Sequence, residues 1–117
     1  MIESDRMTRA ALARTLVGAR FNVNVLESTA ELSSWMQDHP ERVVLVIDVM
    51  AEGVQAALQP IVSAHRTLSV VAWTDAASSV VEVALAALGL EHFGIAARAS
   101  GGAHVVHRVR ELCAAGN

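Results

Sequence analysis

The sequence predicts an α/β domain, a doubly wound and mostly parallel sheet in three layers with helices on both faces. Three observations lead there. Arg42-Val43-Val44-Leu45-Val46-Ile47-Asp48-Val49-Met50-Ala51-Glu52-Gly53 carries an unbroken aliphatic run that ends on a carboxylate. A run so short and without alternation reads as a strand buried on both faces, as in a parallel sheet. Segments of helical spacing and segments of strand composition then alternate from one end of the chain to the other. Finally, 53% of the residues are apolar and only 3% aromatic, so the core must be built of Val, Ala and Leu.

The 117 residues read as one domain, 1–117, long enough to bury about two-thirds of its unfolded surface. There is no internal repeat, low-complexity tract or linker. A net charge of -3 and the lack of an Arg block argue against nucleic acid as a partner of this domain. All 9 basic residues are Arg; the chain has no lysine. Cys113 is the single cysteine, which excludes an intramolecular disulfide and suits a reducing, cytoplasmic setting. No apolar run approaches the roughly 18–20 residues of a membrane span. Glu3 and Asp5 put acid where a signal peptide is basic, and Arg14 interrupts the apolar stretch that follows. The Ala, Val and Arg bias suggests a GC-rich bacterial genome.

Met1-Ile2-Glu3-Ser4 is too short to be a strand by itself. Asp5 to Val17 reads as a helix, capped by Ser4 or Asp5, with Met7, Ala11, Leu12 and Leu16 as its apolar stripe and Gly18 at its stop. Phe21-Asn22-Val23-Asn24-Val25 alternates strictly and predicts a half-exposed strand near a sheet edge. Ser28-Thr29-Ala30-Glu31 is a capping-box pattern opening a short helix with Leu32, Trp35 and Met36, closed by Pro40. After the Asp48 strand, Val54 to His65 has helical spacing at Val54, Leu58, Ile61 and Val62, and Pro60 should kink that helix or set its start. Leu68 to Trp73 is the next strand, running into Thr74-Asp75. Ser78 to Leu88 is a helix stopped by Gly89, His92 to Ala97 a short strand, and Ala103 to Cys113 a final amphipathic helix with Val105, Val106, Val109, Leu112 and Cys113 on one side. Open parallel sheets carry their chemistry at the carboxyl ends of the strands. Asp48 belongs to that edge, either as a functional carboxylate or as a cap for the turn that Gly53 completes.

Several of these stretches resemble response-regulator receiver domains. Ile2-Glu3-Ser4-Asp5-Arg6-Met7-Thr8-Arg9 resembles the acidic turn after their first strand. Val43 to Gly53, with Asp48-Val49-Met50, resembles their phospho-acceptor strand and loop. Val70-Val71-Ala72-Trp73-Thr74 is similar to the fourth strand with its switch threonine. Leu88-Gly89-Leu90-Glu91-His92-Phe93 and Ala99-Ser100 are similar to the approach to, and exit from, the fifth. The resemblance covers nearly the whole chain. It implies a flavodoxin-like sheet of five parallel strands in the order 2-1-3-4-5 and Mg²⁺-dependent phosphorylation of an aspartate by a histidine kinase, a signalling role and not an enzyme's. Carried onto this sequence, Asp48 is the acceptor, Thr74 the switch hydroxyl, and Glu3, Asp48 and the Met50 carbonyl the Mg²⁺ ligands. The chemistry agrees: a carboxylate nucleophile is ordinary covalent catalysis, and Mg²⁺ takes one or two carboxylates with phosphate and water.

The sequence departs from that pattern in three ways. Ser4 stands where a second carboxylate is usual. The fifth-strand lysine is replaced by Ala96 or Ala97, with Arg98 adjacent but one residue along and therefore on the other face. The first strand is truncated or missing, which leaves three accounts: a start upstream of Met1, a strand supplied by a partner, or a four-stranded sheet. A phosphorylation-independent module for protein–protein interaction or dimerisation is the alternative these departures favour. A third class, a small enzyme or nucleotide-binding domain, has no glycine-rich loop to support it.

Phe93 is either the aromatic that rotates beside the switch threonine in receivers or a core residue. Trp73 reads as packing, Asp75 and Ser78 as loop and cap residues, and Cys113 as a buried small hydrophobe. His104 and His107 with Cys113 are too few for a metal site. The helix at 78–88 is apolar almost all round, with Glu82 its one charge, so it predicts a homodimer or a protein partner across that helix and the following strand and helix. A transcriptional role would need a further domain.

Overall fold

Val43–Ile47 (β1) is the strand around which the other elements are arranged. In a computed structural model that describes residues 1–3 and 5–115, the element order is α1 (Arg6–Gly18), α2 (Thr29–Asp38), β1, α3 (Val54–Ala64), β2 (Leu68–Trp73), α4 (Ser78–Ala87), β3 (Phe93–Ala96), a 3₁₀ turn (Arg98–Ser100) and α5 (Gly102–Ala115). Ser4, a candidate cap and the residue at the second-carboxylate position, lies outside the described residues. The three strands are parallel in the order β1-β2-β3, with Val43 to Ile47 abreast of Leu68 to Ala72 and Val70 to Trp73 abreast of Phe93 to Ala96.

Alternation along the strands divides the core in two. Leu45, Ile47, Val70 and Ala72 pack with Leu32 and Met36 of α2, Leu58 and Ile61 of α3, and Val81 and Leu85 of α4. Val46, Val71, Trp73 and Ala96 pack with Leu12 and Leu16 of α1 and Val105, Val106 and Val109 of α5. The central strands are thus covered on both faces, which is why their sequences lack alternation. Each fully buried Leu or Val contributes about 1.5–3 kcal/mol relative to exposure.

The place beside β1 is filled from within the chain. Ile2 donates to the Val46 carbonyl at 2.9 Å, and the Met1 carbonyl accepts from Leu26 N–H at 3.0 Å. One parallel bridge, Ile2 to Leu26, completes the row. The first strand is therefore truncated and in place, so its central position needs no strand from a partner. The strand predicted at Phe21–Val25 does not form as a ladder. A three-residue neighbour offers too few donors and acceptors, so the alternation is expressed in burial alone: Phe21 and Val23 pack on the α1–α5 side while Asn22 and Asn24 are exposed.

The helix caps follow the sequence. Asp5 Oδ2 accepts from Thr8 N–H at 2.8 Å at the start of α1. Ser28 Oγ accepts from Glu31 N–H at 3.2 Å, and Glu31 Oε2 returns to Glu27 N–H at 2.9 Å. Three stripe residues are corrected. Met7 is 83% exposed and Ala11 is exposed; at about 100° per residue they lie about 140° and about 100° round the helix from Leu12. Cys113 is exposed. It has the angular position of the stripe, but it faces an open cleft of about 160 Å³ shared with Leu16, Phe21 and Val109.

Gly53, at φ 79°, opens α3, and the helix runs through Pro60 to Ala64, so the proline neither starts nor ends it. Its ring nitrogen cannot donate to the Ala56 carbonyl one turn back. Replacing this exposed proline, Pro60→Ala, should raise stability by about 1–3 kcal/mol in urea unfolding; an unchanged or lower midpoint would mean that the proline is matched to its site.

Candidate functional site

The candidate site is built from the bottom of the β1 ladder upward. Because Ile2 N–H bonds the Val46 carbonyl, Ile2 lies abreast of Ile47, and the next residues, Glu3 and Asp48, come level at the carboxyl edge. The β1–β2 and β2–β3 registers extend the row to Trp73 and Ala96. Residues abreast in a parallel sheet project to the same side, here that of α1 and α5. Asp48 is half-buried, and its Oδ1 accepts from Met50 N–H at 2.9 Å, turning the loop back toward the strand end.

Glu3 is 5% exposed. A carboxylate this deeply buried requires partners. Its Oε2 accepts from Arg98 Nη2 at 2.5 Å and its Oε1 from Asp5 N–H at 3.2 Å. The Arg98 guanidinium lies 5.5 Å from the centre of the Trp73 ring, within cation–π reach, so the cation is held between a carboxylate and an aromatic ring. The backbone aims it. Thr74 N–H bonds the Ala96 carbonyl at 3.1 Å and Arg98 N–H the Thr74 carbonyl at 3.3 Å, which carries the ladder one step past the strands. Ala99 N–H then bonds Asp75 Oδ1 at 2.9 Å, pinning the 3₁₀ turn. Nearby, hydrogen bonding from Thr8 holds the Asp5 carboxyl below its ordinary range, with a smaller contribution from the Arg98 charge.

Of the sequence candidates, Glu3 and Asp48 come together on one level. Met50 is half-buried, its amide bound to Asp48. Thr74 follows Trp73 and so falls on the other side of the sheet from the Asp48 level. It is 5% exposed, and its Oγ1 accepts from Ala76 N–H at 3.3 Å, a local turn. Thr74 borders a groove of about 620 Å³ between α4, β3 and α5, lined also by Phe93, Ile95, His104 and Arg108. Phe93 is half-buried, one side on the core. Trp73 is packing, as expected, and additionally the platform for Arg98. His107 pairs with Glu111 at 2.9 Å.

Arg98 is the residue that sequence reasoning missed. The objection that it sits one residue along, on the wrong face, measures from Ala97; Arg98 is two beyond Ala96 and shares its face. A signal was present. Glu3 belongs to a sheet edge in a chain without lysine, and Arg98 is the basic residue that follows β3 at that same edge.

As the side chains stand, they do not fit a two-carboxylate Mg²⁺ site. Both Glu3 oxygens already have protein donors, and a metal ion would meet the guanidinium. Among the described residues no group of three or more His, Cys, Asp or Glu is arranged to hold a metal, and none of the helices there is long and apolar enough to cross a membrane. Neither a protein-family model nor a curated protein matches the chain.

The pair should be asymmetric under mutation. Arg98→Ala strands a buried charge and should cost about 3 kcal/mol, whereas Glu3→Gln leaves an arginine side chain 28% exposed to water and should cost about 1 kcal/mol. Chemical denaturation of both variants checks this; equal costs would mean that the guanidinium is not needed to keep Glu3 buried.

Proposed function

We propose that the chain is a receiver-like signalling domain that works by contact with another protein and has given up phosphorylation chemistry. One observation carries this reading: Glu3, the carboxylate that the receiver resemblance gives to Mg²⁺, is taken up by Arg98 and the Asp5 amide. The sheet supports the receiver part. Counting Leu26 and Met1–Glu3 as vestigial strands, the order is that of a flavodoxin-like 2-1-3-4-5 sheet.

The contact surface is the side formed by α4, β3 and α5. On α4, Val81, Ala84 and Leu85 face the core, while Val80 and Val83 are 52% and 70% exposed. Val80 and Val83, at i and i+3, form one apolar patch that water does not favour. Its occupant in this reading is a second copy of the chain.

Light scattering at micromolar concentrations should give a dimer for the wild type and a monomer for Val83→Glu; a wild-type monomer across that range would contradict the contact reading. Incubation with Mg²⁺ and acetyl phosphate should add no phosphoryl group to the intact mass. A second reading keeps Asp48 as the acceptor for a histidine kinase with Mg²⁺ bound, and is favoured by Asp48 standing half-buried at the strand end, outside the ion pairs seen among the described residues. An adduct that Asp48→Asn abolishes would establish that reading.

A further inference from the structure

We propose that the Arg98 guanidinium is the resident cation of this sheet edge, taking up the Glu3 oxygen that a divalent ion would need, and that a metal site opens only when Arg98 is removed. The inference deepens the contact reading and rests on it in one respect, the closure of the edge to Mg²⁺.

The register puts Glu3 and Asp48 abreast on neighbouring backbone segments, where adjacent chains lie about 4.8 Å apart. Burial of the Glu3 carboxylate, 5% exposed, creates the need for a cation, because burial weakens the help water can give. Arg98 meets it with a fixed geometry. Its backbone is held by Thr74, its guanidinium touches Glu3 and lies against Trp73, and Gly101 N–H returns to the Arg98 carbonyl at 3.2 Å. A cation tethered in this way is present at an effective concentration that does not depend on free metal. Mg²⁺ sheds water reluctantly and competes poorly for a carboxylate that already has a guanidinium and an amide on its two oxygens.

Trp73 supplies the readout. A terbium ion in the place of the guanidinium would sit beside the Trp73 ring and emit when the indole is excited. In a Trp35→Phe background, where Trp73 is the only indole, the chain with Arg98 should show no saturable sensitised emission. Arg98→Met in the same background should bind terbium at least ~10-fold more tightly, with Mg²⁺ competing, and Glu3→Gln added to it should abolish the signal. Equal affinity with and without Arg98, or a folded Arg98→Met that gives no emission, would overturn the proposal. If Arg98→Met unfolds in chelator, refolding on addition of terbium or Mg²⁺ supports it. If it stays unfolded, the wild type decides through the Asp5 and Met50 amide signals, whose protons are bonded to Glu3 and Asp48. Their broadening by Mn²⁺ would overturn the proposal, and sharp signals support it. Metal binding by the wild type leaves dimer assembly untouched, and a monomeric wild type leaves this metal test intact, so the two ideas fail separately.

Discussion

A carboxylate left 5% exposed at the edge of a sheet has to find a cation, and in this chain the cation comes from 95 residues away. The Glu3–Arg98 pair is the constraint on which the arrangement of the carboxyl edge depends. Met1–Glu3 is held laterally by a handful of backbone hydrogen bonds, to Val46, Leu26 and Asn24. So short a segment would not be expected to keep a central position on hydrogen bonding alone, since each bond contributes about 1 kcal/mol net. The ion pair ties its end to the corner after β3, across the intervening β1 and β2. The same glutamate accepts from Asp5 N–H, and Asp5 in turn caps α1. One buried charge therefore fixes the first segment, the entry to α1 and the turn that leads into α5.

The closed state of this edge separates two uses of one architecture. A sheet edge that does phosphoryl chemistry needs donors and a cation arranged around an anion that arrives and leaves. Here the donors are turned inward. Met50 N–H serves Asp48, Ala76 N–H serves Thr74, and Ala99 N–H serves Asp75. Such an edge stabilises itself, as the contact reading proposed above requires. The apolar residues that α4 leaves in water, Val80 and Val83, are on the outer layer, uncovered among the described residues.

What the sequence made legible was what neighbouring residues decide. The aliphatic run of β1, the limits of β2, the Asp5 and Ser28 caps and the Gly89 stop after α4 all depend on contacts within one element or one turn, and they are where the periodicity puts them. The misses share a different cause. Phe21–Val25 has a strand's alternation, but a ladder requires a partner, and its partner is three residues long. Cys113 has the right helical angle and faces a cleft that remains open. Arg98 follows a strand end, and its direction is set by a 3₁₀ turn pinned to Asp75 and a ring offered by Trp73. Of the candidate site, the placing of Glu3 level with Asp48 was readable from their positions at two strand ends, whereas the cation that pairs with Glu3 was not, because its identity depends on tertiary geometry. Met7 differs in kind, since helical angle alone places it off the stripe.

The most direct test is a double-mutant cycle on Glu3 and Arg98, comparing Glu3→Gln, Arg98→Met and the double variant in chemical denaturation. The account predicts a coupling of about 2 kcal/mol or more, because the neutral pair removes both the buried charge and its counter-charge. A coupling under about 0.5 kcal/mol, the level at which independent sites add, would mean that the two residues meet without depending on each other, and the carboxyl edge would have to be held by something else.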